Sequence, residues 1–237
     1  MQMKYEAILF DLDGTLLPMD YDTFLRGYLG LLAEHVAPLG YEKKALVATM
    51  WQGVAAMTAN DGTRTNCEAF WQVFAGVFGE KCYDHIPVFD AFYSADFNKA
   101  RAFTVPAPEK AREAVRLARE KAERVVLATS PLFPRVAVRS RLAWAGLSLE
   151  DFDLVTEYEN SGTCKPNPAY YLEICKKLGL DPTRCLMIGN NVEEDITPSA
   201  AVGMDGFLMT DYLLAAGEIP PVPQGSFDDA IAFLRDL

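Results

Sequence analysis

Two aspartates follow the first apolar run of the chain. The run Tyr5–Phe10 has the length and the apolar character of a buried strand, and the sequence DLDGT, which begins at Asp11, comes directly after it. Because side chains alternate along an extended chain, Asp11 and Asp13 point to the same side. Two carboxylates at one strand end attract a hard divalent cation, and Mg2+ prefers oxygen ligands. The sequence therefore predicts a magnesium site that uses Asp11 and Asp13.

Polar residues also stand at the ends of later segments. These residues are Thr129, Ser130, Lys165, Asn190, Glu194 and Asp195. Ligands of open parallel sheets bind at the carboxyl ends of the strands, so we expect all of these residues to meet Asp11 and Asp13. Asp195 would then join the two aspartates at the metal.

This combination of residue types suits the transfer of a phosphoryl group. Lys165 supplies a fixed positive charge, while Thr129 and Ser130 supply hydroxyl and backbone N–H groups that would hold phosphoryl oxygens. A carboxylate in line with phosphorus can act as a nucleophile and form an aspartyl phosphate. A second carboxyl group nearby can be held protonated by its charged neighbours and serve as the general acid.

Helical and extended segments alternate after about residue 106, which predicts an α/β fold. We expect helices over 106–121, 133–145, 166–178 and 194–202, strands over 124–129, 153–155, 185–189 and 205–209, and a last helix capped by Ser226. Such alternation implies parallel strands with right-handed crossovers, and hence a Rossmann-like parallel-sheet core with helices on both faces. The first strand must join this sheet, because a short buried strand cannot stand alone.

The segment between the first strand and residue 106 is predicted to be entirely helical. We expect helices from Asp22 to about Ala37 and over 42–59, 66–78 and 84–99. This segment holds 15 of the 27 aromatic residues, so it should have a small core of its own. We therefore divide the chain into a catalytic core, 1–17 and 106–237, and an inserted all-α cap domain, 18–105.

The composition narrows the range of partners. The 237 residues include 22 Lys and Arg against 33 Asp and Glu, which gives a net charge of −11. This charge repels phosphate backbones and anionic lipids, so we expect a small phosphorylated metabolite rather than nucleic acid or a membrane. No apolar run predicts a transmembrane helix, and the first residues do not resemble a secretion signal. Five cysteines without CxxC spacing are typical of a reduced cytoplasmic protein. We also expect the protein to be a monomer or a homodimer.

Four short motifs in order resemble those of the haloacid dehalogenase superfamily, on its phosphatase side. The DLDGT sequence resembles the nucleophile motif, and the apolar run that ends at Thr129 and Ser130 resembles the second motif. Lys165 before Pro166 resembles the third, and the segment from Gly189 to Asp195 resembles the acidic fourth. A helical insertion after the first motif is similar to the cap of small-molecule phosphatases and phosphomutases.

This resemblance implies a role for each matching residue. Asp11 would be the nucleophile and a metal ligand, and Asp13 the general acid and base as well as a ligand through its backbone carbonyl. Thr129 and Lys165 would bind the transferring phosphoryl group, with Ser130 beside them, and Lys165 would also orient Asp11. Asn190 and Asp195 would bind or orient Mg2+. An acid at the position of Asp13 favours a phosphate ester over a halide, since an alkoxide leaving group needs a proton.

One position departs from the pattern of the resemblance. Asn190 stands where the fourth motif normally has an aspartate; it offers an amide oxygen without charge, and Glu194 could compensate. The predicted function is a Mg2+-dependent phosphatase acting on a small phosphomonoester. A sugar phosphomutase with the same chemistry, or a non-catalytic binding protein, are the alternatives. Four residues of the cap are candidates for substrate contact: Arg26, Trp51, Arg64 and Arg101.

Overall fold

Six parallel strands form a single sheet in the computed structural model, which describes residues 3–237. The strands are β1 Tyr5–Phe10, β2 Ala122–Leu127, β3 Leu154–Val155, β4 Cys185–Gly189, β5 Asp205–Met209 and β6 Gln224–Gly225. Their order across the sheet is β3-β2-β1-β4-β5-β6, and every neighbouring pair is parallel. The strand order therefore reverses between β1 and β4, and such a switch point is where open parallel sheets bind their ligands.

Nine helices accompany the sheet within the described residues. They are α1 Tyr21–His35, α2 Lys43–Thr58, α3 Asn66–Phe78, α4 Ile86–Ser94, α5 Pro108–Lys121, α6 Arg135–Trp144, α7 Pro168–Leu178, α8 Thr197–Ala201 and α9 Phe227–Asp236. Helices α1 to α4 form an insert between β1 and α5. None of the helices in residues 3–237 is both long and apolar enough to cross a bilayer.

The two faces of the sheet bury different residues of the same strand. Ile8 and Phe10 of β1 belong to the larger apolar cluster, which includes α5, α6 and α9, whereas Ala7 and Leu9 pack against α7 on the opposite face. Period-two alternation of the strand accounts for this division. The predicted α/β fold with helices on both faces and a helical insert is confirmed.

Two helix predictions differ most from the structure, and proline accounts for where both observed helices begin. The predicted helix 84–99 also ends early, because α4 stops at Ser94 and a separate 3-10 helix covers Asp96–Phe103. Helix α4 begins only at Ile86, because Pro87 is tolerated in the first turn of a helix and not further in. In the segment 194–202, a wide turn over Val192–Ile196 precedes α8. Pro198 has no N–H for the carbonyl of Glu194, which instead accepts a hydrogen bond from the Tyr171 hydroxyl at 2.7 Å. Strand β6, with two residues, was not predicted.

The aromatic cluster of the insert continues into the sheet domain. The ring centroid of Phe97 lies 5.1 Å from that of Trp144 on α6, and the ring centroid of Tyr28 lies 5.3 Å from that of Phe133. The expectation of a separate core for the insert is therefore wrong, since its aromatic rings and those of the sheet domain form one cluster. The domain limits at 17/18 and 105/106 stay a prediction. At those limits the Val105 N–H donates to the Pro18 carbonyl at 2.8 Å, so the two connections run side by side.

A second connection joins the insert to the sheet domain at the start of α3. The backbone N–H of Asn66 donates to the Ser161 carbonyl at 2.8 Å. The buried Asn66 side-chain amide donates to the Thr163 carbonyl at 3.3 Å and to Cys164 Sγ at 3.1 Å. The insert thus holds the segment that leads to Lys165.

Candidate active site

The loop after β1 is tightly wound and lies against the end of β4. Asp11 continues the strand ladder, because its N–H donates to the Ile188 carbonyl at 2.9 Å. Gly14 then adopts a φ of +87°, in the left-handed region that favours glycine. A Cβ at this position would lie 2.3 Å from Nδ2 of Asn190, so only glycine lets the loop approach β4 this closely.

Lys165 joins two carboxylates from different strand ends. Its Nζ donates to Asp11 Oδ1 at 2.8 Å and to Asp195 Oδ1 at 2.7 Å, and all three side chains are almost completely buried. Burial alone would lower the pKa of Lys165, but the two carboxylates hold it well above its ordinary value. The lysine is therefore a permanent cation beside Asp11.

Glu173 of α7 shapes the segment that carries Lys165. Its carboxylate accepts hydrogen bonds from the Gly162 N–H at 3.2 Å and from Thr163 Oγ1 at 2.6 Å. Asn167 caps the start of α7 by accepting from the Ala169 N–H at 2.9 Å. These contacts fix the backbone on both sides of the lysine.

Asp195 folds back over the end of β4. Its Oδ2 accepts from the Asn191 N–H at 3.0 Å, and a Cβ at Gly189 would lie 2.2 Å from that same oxygen. Burial raises the pKa of Asp195 to about 7, although Lys165 favours its charged form. Glu194 lines the same pocket, and burial also raises the pKa of its carboxyl group.

Asn190 presents its oxygen to the site. Its Nδ2 donates to the Tyr212 carbonyl at 2.6 Å, which orients the amide, and its Oδ1 accepts from Thr15 Oγ1 at 3.1 Å. The same hydroxyl lies 3.4 Å from Asp11 Oδ2. Asn190 Oδ1 and Asp11 Oδ2 are thus on the two sides of one hydroxyl group, and both are hard oxygen donors.

The donor set fits Mg2+. No three His, Cys, Asp or Glu side chains in residues 3–237 group closely enough to form a metal site by themselves. The oxygen donors that line the pocket are of mixed type: the carboxylates of Asp11, Glu194 and Asp195 and the amide of Asn190. Mg2+ is held by few protein oxygens and keeps several waters, so such a set suits it.

Thr129 and Ser130 follow β2 and line the same pocket. The Thr129 carbonyl accepts hydrogen bonds from the hydroxyls of Thr156 at 2.6 Å and Tyr170 at 2.9 Å, which fixes the end of the strand. Every predicted site residue is therefore in one place: Asp11, Asp13, Thr129, Ser130, Asn190 and Asp195 line the pocket, and Lys165 lies directly behind Asp11.

Arg141 of α6 is a site residue that the sequence reasoning missed. It is fully buried, its Nη1 contacts Asp13 Oδ2, and its guanidinium lies 4.2 Å from the centroid of the Phe133 ring. Burial raises the pKa of Asp13, while Arg141 lowers it in part. The sequence alone does not single out Arg141, because α6 also carries Arg135 and Arg139 and the packing of the helix decides which arginine is buried.

Tyr21 is a second pocket residue that the sequence analysis did not identify. Of the four cap residues that were candidates for substrate contact, one lines a pocket next to Asp11. Tyr21, at the start of α1, lines both the pocket of Asp11 and an apolar pocket next to it. Burial raises the pKa of its hydroxyl. Trp51 lines the apolar pocket, whereas Arg26, Arg64 and Arg101 line neither of the two.

Comparison with known sequences identifies one family. The chain matches the family described as haloacid dehalogenase-like hydrolase over residues 5–203. It is 23% identical over 191 residues to the pyrophosphatase PpaX of Bacillus velezensis, a match that covers 81% of this chain and 77% of that protein.

Comparison with solved structures places the whole chain in the same fold. The HAD-hydrolase YfnB of Bacillus subtilis, solved bound to magnesium, superposes with a TM-score of 0.57 at 18% identity, covering 97% of this chain and 98% of that one. A predicted phosphoglycolate phosphatase from Haemophilus somnus superposes with a TM-score of 0.56 at 17% identity, covering 98% and 99%. At this level of identity the likeness concerns the fold.

Proposed function

Since the chain belongs to the haloacid dehalogenase-like hydrolases, we propose that it is a Mg2+-dependent phosphatase that hydrolyses a small phosphomonoester through a phosphoryl-aspartate at Asp11. The arrangement of Asp11, Lys165 and Asp195 carries this proposal. The Asp11 carboxylate accepts a hydrogen bond from the buried Lys165 ammonium and opens onto a pocket lined by Thr129 and Ser130. A carboxylate placed in this way can attack the phosphorus of an ester bound in that pocket.

The reaction has two steps. A carboxylate oxygen of Asp11 attacks phosphorus, the bond from phosphorus to the ester oxygen breaks, and Asp13 gives its proton to that oxygen, which leaves as an alcohol. Asp13, now a carboxylate, takes a proton from a water molecule as the water oxygen attacks phosphorus. The bond from phosphorus to Asp11 then breaks, and inorganic phosphate is released.

Residues around the pocket stabilise the charge of the phosphoryl group. Lys165 offsets negative charge beside Asp11, and the hydroxyls and backbone N–H groups at Thr129 and Ser130 would donate to phosphoryl oxygens. Asp11, Asn190 and Asp195 are the side chains that would hold Mg2+, together with the backbone carbonyl of Asp13. The ion would supply further positive charge to the phosphoryl oxygens when bound.

Asp13 supports a phosphate ester as substrate rather than an organic halide. A halide leaves as a stable anion, whereas an alkoxide needs a proton in the transition state. Burial raises the pKa of Asp13, which favours the protonated carboxyl group that this step requires. We propose that the substrate is a small phosphorylated metabolite.

The test is the hydrolysis of p-nitrophenyl phosphate with and without Mg2+. We expect turnover that depends on the metal and is lost in Asp11→Asn, while Asp84→Asn, the same change at an exposed position, behaves like the parent protein. Asp13→Asn should hydrolyse alkyl phosphates far more poorly than p-nitrophenyl phosphate, because p-nitrophenolate leaves without a proton.

Two other outcomes would contradict the proposal. Absence of turnover with every divalent ion tried, in a protein shown to be folded, would instead support a non-catalytic binding protein. Conversion of a hexose 1-phosphate to its 6-phosphate without net release of inorganic phosphate would instead identify a sugar phosphomutase.

A further inference from the structure

An apolar pocket adjoins the catalytic pocket. Three residues line both pockets: Tyr21, Leu132 and Phe133. The two spaces are therefore neighbours separated by the same side chains, so a molecule bound at Asp11 has this pocket beside it. The rest of the lining comes mainly from α1, α2, α3 and α4 of the insert.

The lining of this apolar pocket offers little to a polar ligand. Its large side chains include Trp51, Phe70, Trp71 and Phe89, and Asp90 is the one formally charged residue among those that line it. The hydroxyls of Tyr28 and Tyr93 lie 2.7 Å apart and bond to each other. Apart from Asp90 and the tyrosine hydroxyls, the lining has few partners for the polar groups of a hydroxylated ligand, and burying such groups without partners costs free energy.

The pocket lies on the side of Asp13. Arg141 contacts Asp13 with its guanidinium and also packs on the Phe133 ring, and Phe133 forms part of the wall between the two pockets. Asp13 is the group that protonates the departing oxygen in the proposed reaction. In that reaction, a carbon skeleton attached to the departing oxygen would lie beside Phe133 and Tyr21, the side chains shared with the aromatic pocket.

We propose that the substrate is the phosphate ester of an aromatic or similarly apolar alcohol, whose organic group fills this pocket. The inference rests on the proposed phosphatase activity and adds the chemical class of the leaving group. Burial of the organic group against aromatic rings would favour such esters, since a hydrophobic pocket discriminates by the apolar surface that it removes from water. Sugar phosphates and phosphorylated short hydroxy acids lack that surface.

The experiment compares phosphate esters of primary alcohols, so that the reactivity of the leaving group is similar throughout. We expect kcat/KM for 2-phenylethyl phosphate to exceed that for glycerol 3-phosphate and glucose 6-phosphate by at least about tenfold. Trp51 is 47% exposed at the rim of the pocket, so Trp51→Ala leaves the buried core intact. This variant should reduce the preference several-fold. Val77→Ala, at a position in α3 that is 49% exposed and does not line the pocket, should retain it.

Three results would overturn the inference, and they differ in meaning. Equal or better turnover of glycerol 3-phosphate or glucose 6-phosphate would contradict the apolar leaving group and leave the phosphatase proposal standing. Absence of hydrolysis of every ester, in a folded protein with Mg2+ present, would contradict the phosphatase proposal and the inference with it. A preference for 2-phenylethyl phosphate that Trp51→Ala leaves unchanged would place the organic group outside this pocket and would also overturn the inference.

Discussion

Arg141 reaches Asp13 from the interior of the sheet domain, so the proposed general acid is paired with a cation that has no access to solvent. Arg141 is fully buried, and two of its nitrogens, Nε and Nη2, are buried without a hydrogen-bond partner among residues 3–237. A buried cation of this kind is costly unless a carboxylate offsets its charge. Asp13 therefore offsets the buried charge of Arg141, and Arg141 in turn lowers the pKa of Asp13 in part.

Replacing Arg141 should affect both turnover and stability. In Arg141→Met, burial acts on Asp13 without opposition, so the pKa of Asp13 rises further. An acid with a raised pKa in the folded state favours folding at low pH, and this contribution is lost as the pH rises through that pKa. We expect the loss in free energy of unfolding, on the order of 3 kcal/mol, to be larger at pH 8 than at pH 5.

Urea unfolding at pH 5 and pH 8 measures this effect on stability. The kcat of Arg141→Met should also fall at least about tenfold, because Asp13 must act as a base in the second step. Arg141→Lys keeps the positive charge and should lose less of both. Equal destabilisation of the methionine variant at pH 5 and pH 8 would show that Arg141 acts on packing and not on Asp13.

Gly14 should be intolerant of any side chain because of Asn190. In Gly14→Ala, the new Cβ would meet Nδ2 of Asn190, and the φ of +87° would be strained as well. We expect a higher Mg2+ concentration for half-maximal activity, since the displaced amide is one of the proposed ligands. Gly40→Ala separates the two effects, because Gly40 has a φ of +81° with open space around it. A Gly40→Ala variant with the same loss of activity would attribute the effect to backbone strain alone.

Introducing an aspartate at position 190 should destabilise the metal-free protein. The Asn190 amide donates to the Tyr212 carbonyl, and a carboxylate in Asn190→Asp would place an oxygen against that carbonyl. We expect a lower melting temperature without Mg2+ and a larger rise on adding Mg2+ than in the parent. Asn191→Asp is the matched control, because Asn191 Oδ1 only accepts hydrogen bonds, from the N–H groups of Glu193 and Glu194. Equal melting temperatures for parent and Asn190→Asp would contradict the role of the Tyr212 carbonyl.

Glu173 should make stability sensitive to acid. Burial opposes its charge, yet Lys177, Thr163 and the Gly162 N–H together lower its pKa. A carboxyl group with a lowered pKa stabilises the fold above its unfolded pKa, and the stabilisation is lost as the pH falls through the folded value. Glu173→Gln should therefore be less stable than the parent at pH 7, and the difference should shrink toward pH 3 in thermal unfolding. The exposed Glu218→Gln should follow the parent at both pH values.

The sequence predicted the main sheet strands and the gathering of site residues well, for a physical reason. Each predicted residue follows an apolar run, and parallel strands bring their carboxyl ends to one edge whatever the details of packing. Asp11, Asp195 and Lys165 could thus be placed together before their distances were known. The resemblance assigned their roles, which the structure leaves as proposals to be tested.

The two site residues that the sequence analysis did not identify, Arg141 and Tyr21, reach the site through packing between different helices and the sheet. Arg141 lies in a helix whose charged and apolar residues alternate closely, and only the packing of α6 shows which arginine points inward. Tyr21 comes from the first turn of the insert, and its place between two pockets depends on how α1 packs against the sheet domain. The aromatic residues of the insert predicted a core but not its continuation to Trp144, because periodicity within a helix does not identify the partner.

The hydrogen bonds of Asn66 have a mechanical consequence. This residue starts α3 of the insert, and its backbone and side chain bond to Ser161, Thr163 and Cys164, immediately before Lys165. A swing of α3 away from the sheet must either break these bonds or pull the lysine segment with it. A swing of α3 on substrate entry would therefore rearrange the charge around the reacting carboxylate in the same motion.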